Sequence, residues 1–369
     1  MIKKKNAPAS TPGIEVREIA LNILHQVLEE GAYVSIAIDR TLRQSSLSSQ
    51  DRNLVTEITN GTIRMCKHLD WVLNLFLKKP IHKMNPWIRN ILRMTLYQVA
   101  FMQRIPDHAA VDSAVTIARK KTGNSMAALV NGVMRNYLRN KEKVSYPEPA
   151  YSIEYLSVYY SQPEWIVETF LDSCGRLETQ KILQYFNQAP NIHLRSNGLK
   201  IDRDQLLSIL LDSGINAERG NNPWAIRLYD LHQGVESLPC YQEGYFYIQN
   251  EASMLAGAIL DPQPEERILD LCSGVGGKAT HFAELMEDYG TVYAVELYDH
   301  KLQLLRHNCE RLGINSIIEQ QGDILQLSLP AEVDRVFLDA PCSGLGVLNR
   351  RSDARWHKKQ TDIEQLSLL

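Results

Sequence analysis

Residues 267–278 read Arg-Ile-Leu-Asp-Leu-Cys-Ser-Gly-Val-Gly-Gly-Lys, a short apolar run that leads directly into three glycines. The apolar run predicts a buried strand, and a helix is predicted from about Lys278 to Met286. Glycines let the backbone turn tightly and approach a ligand closely, with the N-terminus of the following helix behind them. This stretch therefore predicts a ligand-binding turn between a strand and a helix.

The residues after this turn continue the alternation of strands and helices. Strands are predicted at 290–297, 317–321 and 334–339, and a helix is predicted at 300–312. Strands that alternate with helices of this length form parallel sheets with right-handed crossovers. We therefore expect an α/β, Rossmann-like domain over residues 256–369, with His281 and His300 on helix surfaces.

Three acidic residues follow successive predicted strands of this domain, namely Glu296, Asp323 and Asp339. Because the carboxyl ends of parallel strands meet at one edge of a sheet, we expect these acids to line one crevice. Glu296 lies nineteen residues beyond Gly277, where a carboxylate can accept hydrogen bonds from both ribose hydroxyls of a nucleoside cofactor. Both NAD and S-adenosylmethionine satisfy this pattern, and Asp323 would suit an adenine amino group.

A second motif, Leu338-Asp-Ala-Pro-Cys-Ser-Gly-Leu-Gly346, places a cysteine on a proline-containing loop at the same edge. Methylation of C5 of a pyrimidine needs a nucleophile that first adds to C6, and a thiolate can serve. Cys342 has this context, and Asp339 could hold N3 of the base. An inert cysteine is the alternative interpretation, and we adopt it for the remaining five: Cys66, Cys174, Cys240, Cys272 and Cys309.

The first part of the chain has a helical pattern. Apolar residues recur along 87–102 with the spacing of one buried stripe, at Ile88, Ile91, Leu92, Leu96 and Val99. Similar helices are predicted at 15–30, 33–44, 51–65, 68–77, 109–121 and 125–139. No alternating strand pattern competes with them, so we expect an all-α domain over residues 15–143 behind a disordered leader at 1–14.

A small α+β connecting module is predicted over residues 144–255. Residues 143–150 have the composition of a linker. Helices are predicted at 163–173, 178–187 and 203–213, and strands at 192–197, 225–229 and 245–248. Interleaved strands and helices over about 100 residues are typical of such a module.

The charge is distributed unevenly along the chain. Residues 1–150 contain 22 Lys and Arg against 12 Asp and Glu, whereas the rest contains 18 against 31, so a net charge of −3 combines +10 with −13. A basic excess confined to one domain indicates a nucleic-acid contact, with an ordinary solvated surface as the alternative. The candidate RNA-binding residues are Arg89, Arg93, Lys120, Lys121, Arg135 and Arg139.

The composition narrows the class of protein further. Hydrophobic residues make up 44% and charged residues 22% of the chain, which is typical of globular domains. No window offers the roughly 18 apolar residues of a membrane span. The six cysteines lie far apart without a Cys-x-x-Cys pair, which argues against a zinc or other metal site and against a disulfide scaffold. We therefore expect a cytoplasmic protein.

These motifs resemble those of the RNA 5-methylcytosine methyltransferases of the Nol1/Nop2/Sun family. Residues 16–140 resemble a NusB-type RNA-binding domain through Gly31-Ala-Tyr33, Asp51-Arg52, Gly61-Thr-Ile-Arg64, Leu92-Arg-Met-Thr-Leu-Tyr-Gln98, Ile105-Pro-Asp-His-Ala109 and Val130-Asn-Gly-Val-Met-Arg135. The connecting module resembles the family's through Pro163-Glu-Trp165 and Gln249-Asn-Glu-Ala-Ser253. The resemblance covers nearly the whole chain.

The resemblance implies a base-flipping enzyme that methylates C5 of one cytosine in 16S ribosomal RNA, either unassembled or early in assembly. It also implies a monomer without a membrane or DNA partner. By position, S-adenosylmethionine would be held by Cys272, Ser273, Gly274, Val275, Gly276, Gly277, Lys278, Glu296, Asp323 and Asp339. Cys342 matches the cysteine that helps these enzymes to release product.

The family's attacking cysteine lies in a Thr-Cys motif on the next strand, and these 369 residues contain no Thr-Cys pair. They stop at Leu369, so we expect a sheet that ends after strand four, a poorly stable α/β domain and no turnover. Ser273-Gly-Val275 also replaces the usual Ala-Ala-Pro. Two other readings stay open: a catalytically silent RNA-binding protein with a vestigial α/β domain, and a nucleophilic Cys342 as in DNA cytosine methyltransferases.

Overall fold

The computed structural model describes residues 12–229, 231, 234–328 and 332–368, which form two compact units. The first unit contains the chain up to residue 189 together with the residues from 343 onward, and the second contains residues 190–342. The compact units thus divide the chain differently from the domain bounds expected from sequence. The predicted leader lies largely outside the described residues.

The first unit is helical, as predicted. Its leading helices are α1 (Pro12–Leu28), α2 (Val34–Arg43), α3 (Ser49–Arg64), α4 (Cys66–Phe76), α5 (Pro86–Phe101), α6 (Asp107–Thr122) and α7 (Asn124–Arg139). Local signals set their ends. Ser48 caps α3 by accepting from the backbone N–H of Asp51 at 3.2 Å, and α6 ends at Gly123, whose φ is 92°.

Helix α5 lies at the centre of this unit. The predicted stripe is buried at Ile88, Ile91, Leu92 and Leu96 and half-buried at Val99. The buried face is wider than the stripe because polar side chains are also enclosed and paired there. Gln98, for example, accepts a hydrogen bond of 2.7 Å from Arg17 Nε.

Two further helices, α8 (Ile153–Tyr159) and α9 (Glu164–Phe186), follow the linker. The sequence predicts two helices where α9 runs, and the structure has a break between them at Gly175, whose φ is 72°. Helix α8 was not predicted. None of the helices in the described parts of the chain is long and apolar enough to cross a membrane.

The second unit begins with a four-stranded antiparallel sheet in the order β2-β3-β1-β4. Its elements are β1 (Ile192–Ser196), α10 (Arg203–Asp212), β2 (Asn216–Arg219), β3 (Ala225–Tyr229), α11 (Pro239–Gln242) and β4 (Phe246–Ile248). The sequence predicts β1, β3, β4 and α10 but not β2. This strand lies at the sheet edge and is polar and largely exposed, so it carries no apolar alternation.

The predicted parallel sheet follows in the order β7-β6-β5-β8. Its elements are α12 (Glu251–Leu260), β5 (Arg267–Asp270), α13 (Ala279–Leu285), β6 (Thr291–Glu296), α14 (Asp299–Leu312), β7 (Ile317–Gln321) and β8 (Arg335–Phe337). Ile268, Val292 and Ala294 on the central strands pack against Phe282 of α13. The expected order of all-α, α+β and α/β parts is confirmed.

The residues after 343 pack within the helical unit and include α15 (Ala354–His357) and α16 (Gln360–Leu366). The fully buried Arg355 donates to the carbonyl oxygens of Arg64 and Ser161, both at 3.2 Å, and to Asn187 Oδ1 at 3.0 Å. Burial, with Arg64 adding to the effect, lowers the pKa of Arg355 to about 9. The sequence predicts these residues to be part of the α/β domain at 256–369.

The expectation that His281 lies on a helix surface is wrong, whereas His300 is exposed. His281 is buried in the second unit, with its ring edge-on to Trp224 at 4.8 Å between ring centroids. Burial holds the pKa of His281 well below its ordinary value, so the ring is neutral.

Gly61 of α3 faces the ring of Tyr97 on α5, and a Cβ atom at residue 61 would overlap that ring. We expect Gly61→Ala to lower the free energy of unfolding by about 1–3 kcal/mol, the usual cost of overpacking. Gly132→Ala on α7 is the matched control, because a Cβ there has no heavy atom within 4 Å. It should raise stability by about 0.5–1 kcal/mol. Urea denaturation followed by circular dichroism measures both, and equal effects would contradict the close approach of α3 and α5.

Candidate cofactor and RNA site

Four acidic residues lie at the carboxyl edge of the parallel sheet. Asp270 ends β5 and Glu296 ends β6, while Asp323 and Asp339 each lie two residues beyond the ends of β7 and β8. The three acids named from the sequence therefore share one edge with the glycine turn. Asp270 was missed as a site residue, although its position at a strand end is the signal used for the others.

The glycine turn depends on backbone conformations and close contacts that favour glycine. Gly274 and Gly276 have φ values of 58° and 88°, in the left-handed region. A Cβ on Gly276 would also come within 2.9 Å of Leu305. Ser273 anchors the turn to the end of β6, since its N–H and its hydroxyl donate to the Val295 carbonyl at 2.9 and 3.1 Å.

Glu296 is buried, and its carboxylate is held in place from one side. Its Oε1 accepts from the backbone N–H of Tyr298 and from Lys301 Nζ, both at 3.1 Å. The N–H of Gly322 donates to the Glu296 carbonyl at 3.1 Å, which brings the turn before Asp323 beside β6. Asp323 in turn accepts from the N–H of Leu325 at 3.0 Å.

Asp270 is 1% exposed and only half satisfied. Its Oδ1 accepts from the backbone N–H of Cys272 at 3.3 Å, and its Oδ2 has no hydrogen-bond partner among the described residues. Burial raises the pKa of Asp270 from its ordinary value of 3.8 to about 7, with small contributions from Asp339 and Glu296. A buried, unpartnered carboxyl oxygen beneath the glycine turn can receive a donor from a bound ligand.

An ion pair joins the glycine turn to the cysteine loop. Lys278 Nζ lies 2.5 Å from Asp339 Oδ2, so the last residue of the turn contacts the aspartate that begins the Asp339–Cys342 motif. Cys342 itself is exposed. Cys66 and Cys240 are buried, Cys272 and Cys309 are half-buried, and Cys174 is exposed.

Arg195 of β1 is a positioning residue that sequence reasoning missed. Its guanidinium is fully buried and forms a two-pronged ion pair with Glu284 of α13, at 2.9 and 2.8 Å. It also donates to the carbonyl of Gly277 at 2.6 Å and to Gln249 Oε1 at 2.5 Å. The antiparallel sheet thereby holds the backbone of the glycine turn. An arginine inside an alternating strand is a weak signal of this role.

Three of the six predicted RNA-binding cations form ion pairs within the helical unit, and one of them is the exposed Lys120, which pairs with Glu18 at 2.7 Å. Arg93 is buried and pairs with both carboxylate oxygens of Asp70 at 2.6 Å, and Arg89 pairs with Glu29. These two arginines therefore stabilise the helix packing, and the RNA contacts expected of them stay a prediction. Exposed cations remain at Lys120, Lys121, Arg135 and Arg139.

Three family models match consecutive parts of the chain. The model described as NusB family matches residues 14–139, and the Methyltr_RsmF/B-like, ferredoxin-like domain matches residues 162–233. The model described as 16S rRNA methyltransferase RsmB/F matches residues 257–369. Together with the parallel sheet and its glycine turn, these matches define the class of protein as a methyltransferase with a NusB-type helical domain.

Similarity to curated proteins identifies the family within this class of methyltransferases. The "Probable ribosomal RNA small subunit methyltransferase B" of Synechocystis sp. (strain PCC 6803) is 36% identical, over 96% of this chain and 80% of the relative. The "Ribosomal RNA small subunit methyltransferase B" of Proteus mirabilis is 31% identical, over 95% and 82%. The chain belongs to this family of ribosomal RNA small subunit methyltransferases, so the resemblance seen in the sequence is confirmed.

Solved structures share the fold. The crystal structure of PH0851 aligns with a TM-score of 0.74 at 22% identity, covering 99% of this chain and 82% of that one. The structure of NSun6 from Pyrococcus horikoshii with SFG aligns with a TM-score of 0.50 at 20% identity, covering 56% and 76%. The similarity to PH0851 extends over all three parts of the chain.

The raised pKa of Asp270 makes stability depend on pH. Between about pH 4 and pH 7 the unfolded chain releases this proton while the folded chain keeps it, so the free energy of unfolding falls as pH rises. It levels off above about pH 7. The fall approaches about 4 kcal/mol, at about 1.4 kcal/mol per unit of pKa.

We therefore expect Asp270→Asn to be more stable than the parent at pH 8, by about 2–4 kcal/mol. Its free energy of unfolding should no longer decrease between pH 4 and pH 7 in the way expected for the parent. The asparagine Oδ1 can still accept from the Cys272 N–H. Asp212→Asn, at an exposed residue of the same unit, should leave the profile unchanged. Urea denaturation at pH 5 and pH 8 measures all three chains, and parallel profiles for parent and Asp270→Asn would refute the assignment.

Proposed function

We propose that this chain acts in the transfer of a methyl group from S-adenosylmethionine to C5 of one cytosine in 16S ribosomal RNA. The supporting observation is the edge of the parallel sheet where the glycine turn, the buried Glu296 and the Asp339–Cys342 loop occur together. A nucleoside-binding turn linked to an exposed thiol suits methyl transfer to a pyrimidine. Membership of the family supports the same reaction.

The residues of this edge fit the cofactor. When bound, S-adenosylmethionine supplies an electrophilic methyl group. Glu296 would accept hydrogen bonds from its ribose hydroxyls, since both donors from the described residues reach Oε1. The backbone of the turn at 272–278 would face the cofactor because its glycines allow close approach. Asp323 would bind the adenine amino group, and the unpartnered Asp270 Oδ2 would receive a further donor.

The base would be handled by the loop that carries Cys342. We propose that Asp339, held by Lys278, orients the ring of the flipped cytosine through N3. Cys342 would assist release of the product, as the resemblance implies. The attacking thiol of the family is not supplied by a Thr-Cys pair within these 369 residues. Addition to C6 needs a thiolate close to the flipped base.

The ribose assignment predicts the effect of Glu296→Ala. Loss of hydrogen bonds to a charged partner should weaken S-adenosylmethionine binding by about 1–3 kcal/mol. Asp299→Ala, which removes an exposed carboxylate at the start of α14, is the matched control and should bind like the parent. Isothermal titration calorimetry compares the three chains. Equal affinity for parent and Glu296→Ala would exclude the ribose contact.

The exposed cations of α7 predict a salt-dependent RNA contact. We expect the double variant Arg135→Gln/Arg139→Gln to bind a 16S ribosomal RNA hairpin more weakly and to show a shallower salt dependence, since fewer counterions are released. The control Arg176→Gln/Lys181→Gln removes two exposed cations from α9. Titrations at two salt concentrations measure both. Equal losses in the two variants would show that only net charge matters.

The reaction itself is tested on cellular RNA. Bisulfite sequencing of 16S ribosomal RNA should reveal one cytosine that resists conversion in cells with the coding region intact and converts when the region is disrupted. Identical patterns in both cells would refute the proposed reaction. That result would favour the silent RNA-binding alternative.

The role of Cys342 is tested with the purified chain. We expect these 369 residues to bind the cofactor but to transfer no label from it to small-subunit RNA, because the Thr-Cys nucleophile is missing. Cys342→Ala should behave identically. Turnover by the parent that disappears in Cys342→Ala would instead make Cys342 the nucleophile, as in DNA cytosine methyltransferases.

A further inference from the structure

A cavity of about 620 Å³ lies within the helical unit, and none of its lining residues is among the candidate cofactor-binding, catalytic or RNA-binding residues named above. Helices α3, α4, α5 and α7 line one side of it, and the linker with α8 and α9 supplies the rest. Its volume falls within the range of about 300–1,000 Å³ that is typical of ligand sites. The site is complete only where the helical domain and the following segment occur in one chain.

Aromatic rings dominate the walls of this cavity. They belong to Tyr97, Phe101, Tyr137, Tyr146, Tyr159 and Tyr160. His68 connects them, with its ring centroid 5.6 Å from those of both Phe101 and Tyr146. Phe101 and Tyr159 are 42% and 40% exposed, which is high for such large rings. Each of these rings stacks on a neighbouring tyrosine, Phe101 on Tyr97 and Tyr159 on Tyr155, and the remaining part of each side chain is accessible to solvent.

The polar groups of the cavity are basic and incompletely paired. Arg64 is 7% exposed, and its Nε has no hydrogen-bond partner among the described residues; its Nη2 lies 3.5 Å from the Asn349 carbonyl oxygen. His68 is 9% exposed, with Nδ1 also unpartnered in the part of the chain described. Lys141 also lines the cavity and forms an ion pair with Asp107 at 3.1 Å, and none of the lining residues is acidic.

The positive charge of the cavity comes from Arg64 and Lys141, because burial lowers the pKa of His68 and keeps its ring neutral at neutral pH. Burial raises the pKa of Tyr146 to about 12, so this phenol carries no negative charge at neutral pH. The fully buried Arg355 does not line the cavity, but it donates to the Arg64 carbonyl at 3.2 Å and places a second guanidinium behind that residue. Two adjacent buried cations favour an anionic ligand.

We propose that this cavity binds an unstacked base of single-stranded RNA, with Arg64 and Lys141 facing its phosphate or the polar edge of the base. Aromatic faces stack on any base, and nearby cations pair with the backbone. A purely apolar ligand would leave Arg64 Nε and His68 Nδ1 unpartnered, at a desolvation cost. This proposal rests on the proposed function in that it takes the RNA substrate as ligand.

The experiment uses the whole 369-residue chain and a short single-stranded oligoribonucleotide that carries one 2-aminopurine. Stacking of the base on an aromatic ring quenches its fluorescence. We expect Phe101→Ala and Tyr159→Ala to raise Kd about 5- to 50-fold and to reduce the quench. Tyr185→Ala, at a 50% exposed tyrosine outside the cavity, is the control and should bind like the parent.

Two further measurements distinguish RNA binding from the binding of a free nucleotide and test the contribution of charge. Lys141→Gln should weaken binding and make its salt dependence shallower. The monomer 2-aminopurine riboside 5′-monophosphate should bind much more weakly than the oligonucleotide; equal affinity would make this a site for free nucleotides and overturn the RNA assignment. Thermal melts by circular dichroism identify any variant that fails to fold.

Unchanged affinity and quench in both folded ring variants would overturn the proposal. This outcome is separate from a failure of the proposed reaction, since the quench requires neither S-adenosylmethionine nor turnover. If the bisulfite pattern of cellular 16S ribosomal RNA did not change, the proposed reaction would be refuted. A fluorescence quench that depends on Phe101 and Tyr159 would still support the base-binding cavity.

Discussion

The buried ion pair between Arg195 and Glu284 is the interaction on which the glycine turn at the carboxyl edge of the parallel sheet depends. Both side chains are almost completely removed from water, at 0% and 3% exposure, so each charge relies on the other. Removal of one partner from such a pair typically costs about 3–5 kcal/mol, because the remaining charge stays buried. The same guanidinium donates to the Gly277 carbonyl, and the antiparallel sheet thus sets the backbone of the glycine turn.

Arg355 has a comparable position in the helical unit but a different chemistry. Its two Nη atoms donate to carbonyl oxygens from α3, α9 and the segment between α8 and α9, whereas its Nε has no partner among the described residues. Its low pKa reflects burial of the charge, with Arg64 adding to the effect. The segment that it anchors begins at Ser343, directly after Cys342 in the chain. The residues that follow the Asp339–Cys342 loop therefore belong to the packing of the helical unit.

Prediction succeeded where a local pattern determines the structure. The helical stripe of α5, the strand–glycine–helix sequence at 267–286 and the succession of strands and helices that follows it all reflect short-range periodicity and turn chemistry. Prediction failed where contacts with residues distant in the sequence determine the local structure or the burial. β2 is a polar edge strand without alternation, and His281 lies on a short helix whose buried face is set by the contact with Trp224.

The sequence by itself determined the three-part architecture, the glycine turn and the acids at strand ends, because each is encoded by residues close together along the chain. Only the tertiary structure decided the pairing of Arg93 with Asp70, the contacts of Arg195 with Glu284 and the glycine turn, and the aromatic cavity around His68. These features join residues far apart in sequence. Their energies come from burial and from partners that no local pattern specifies.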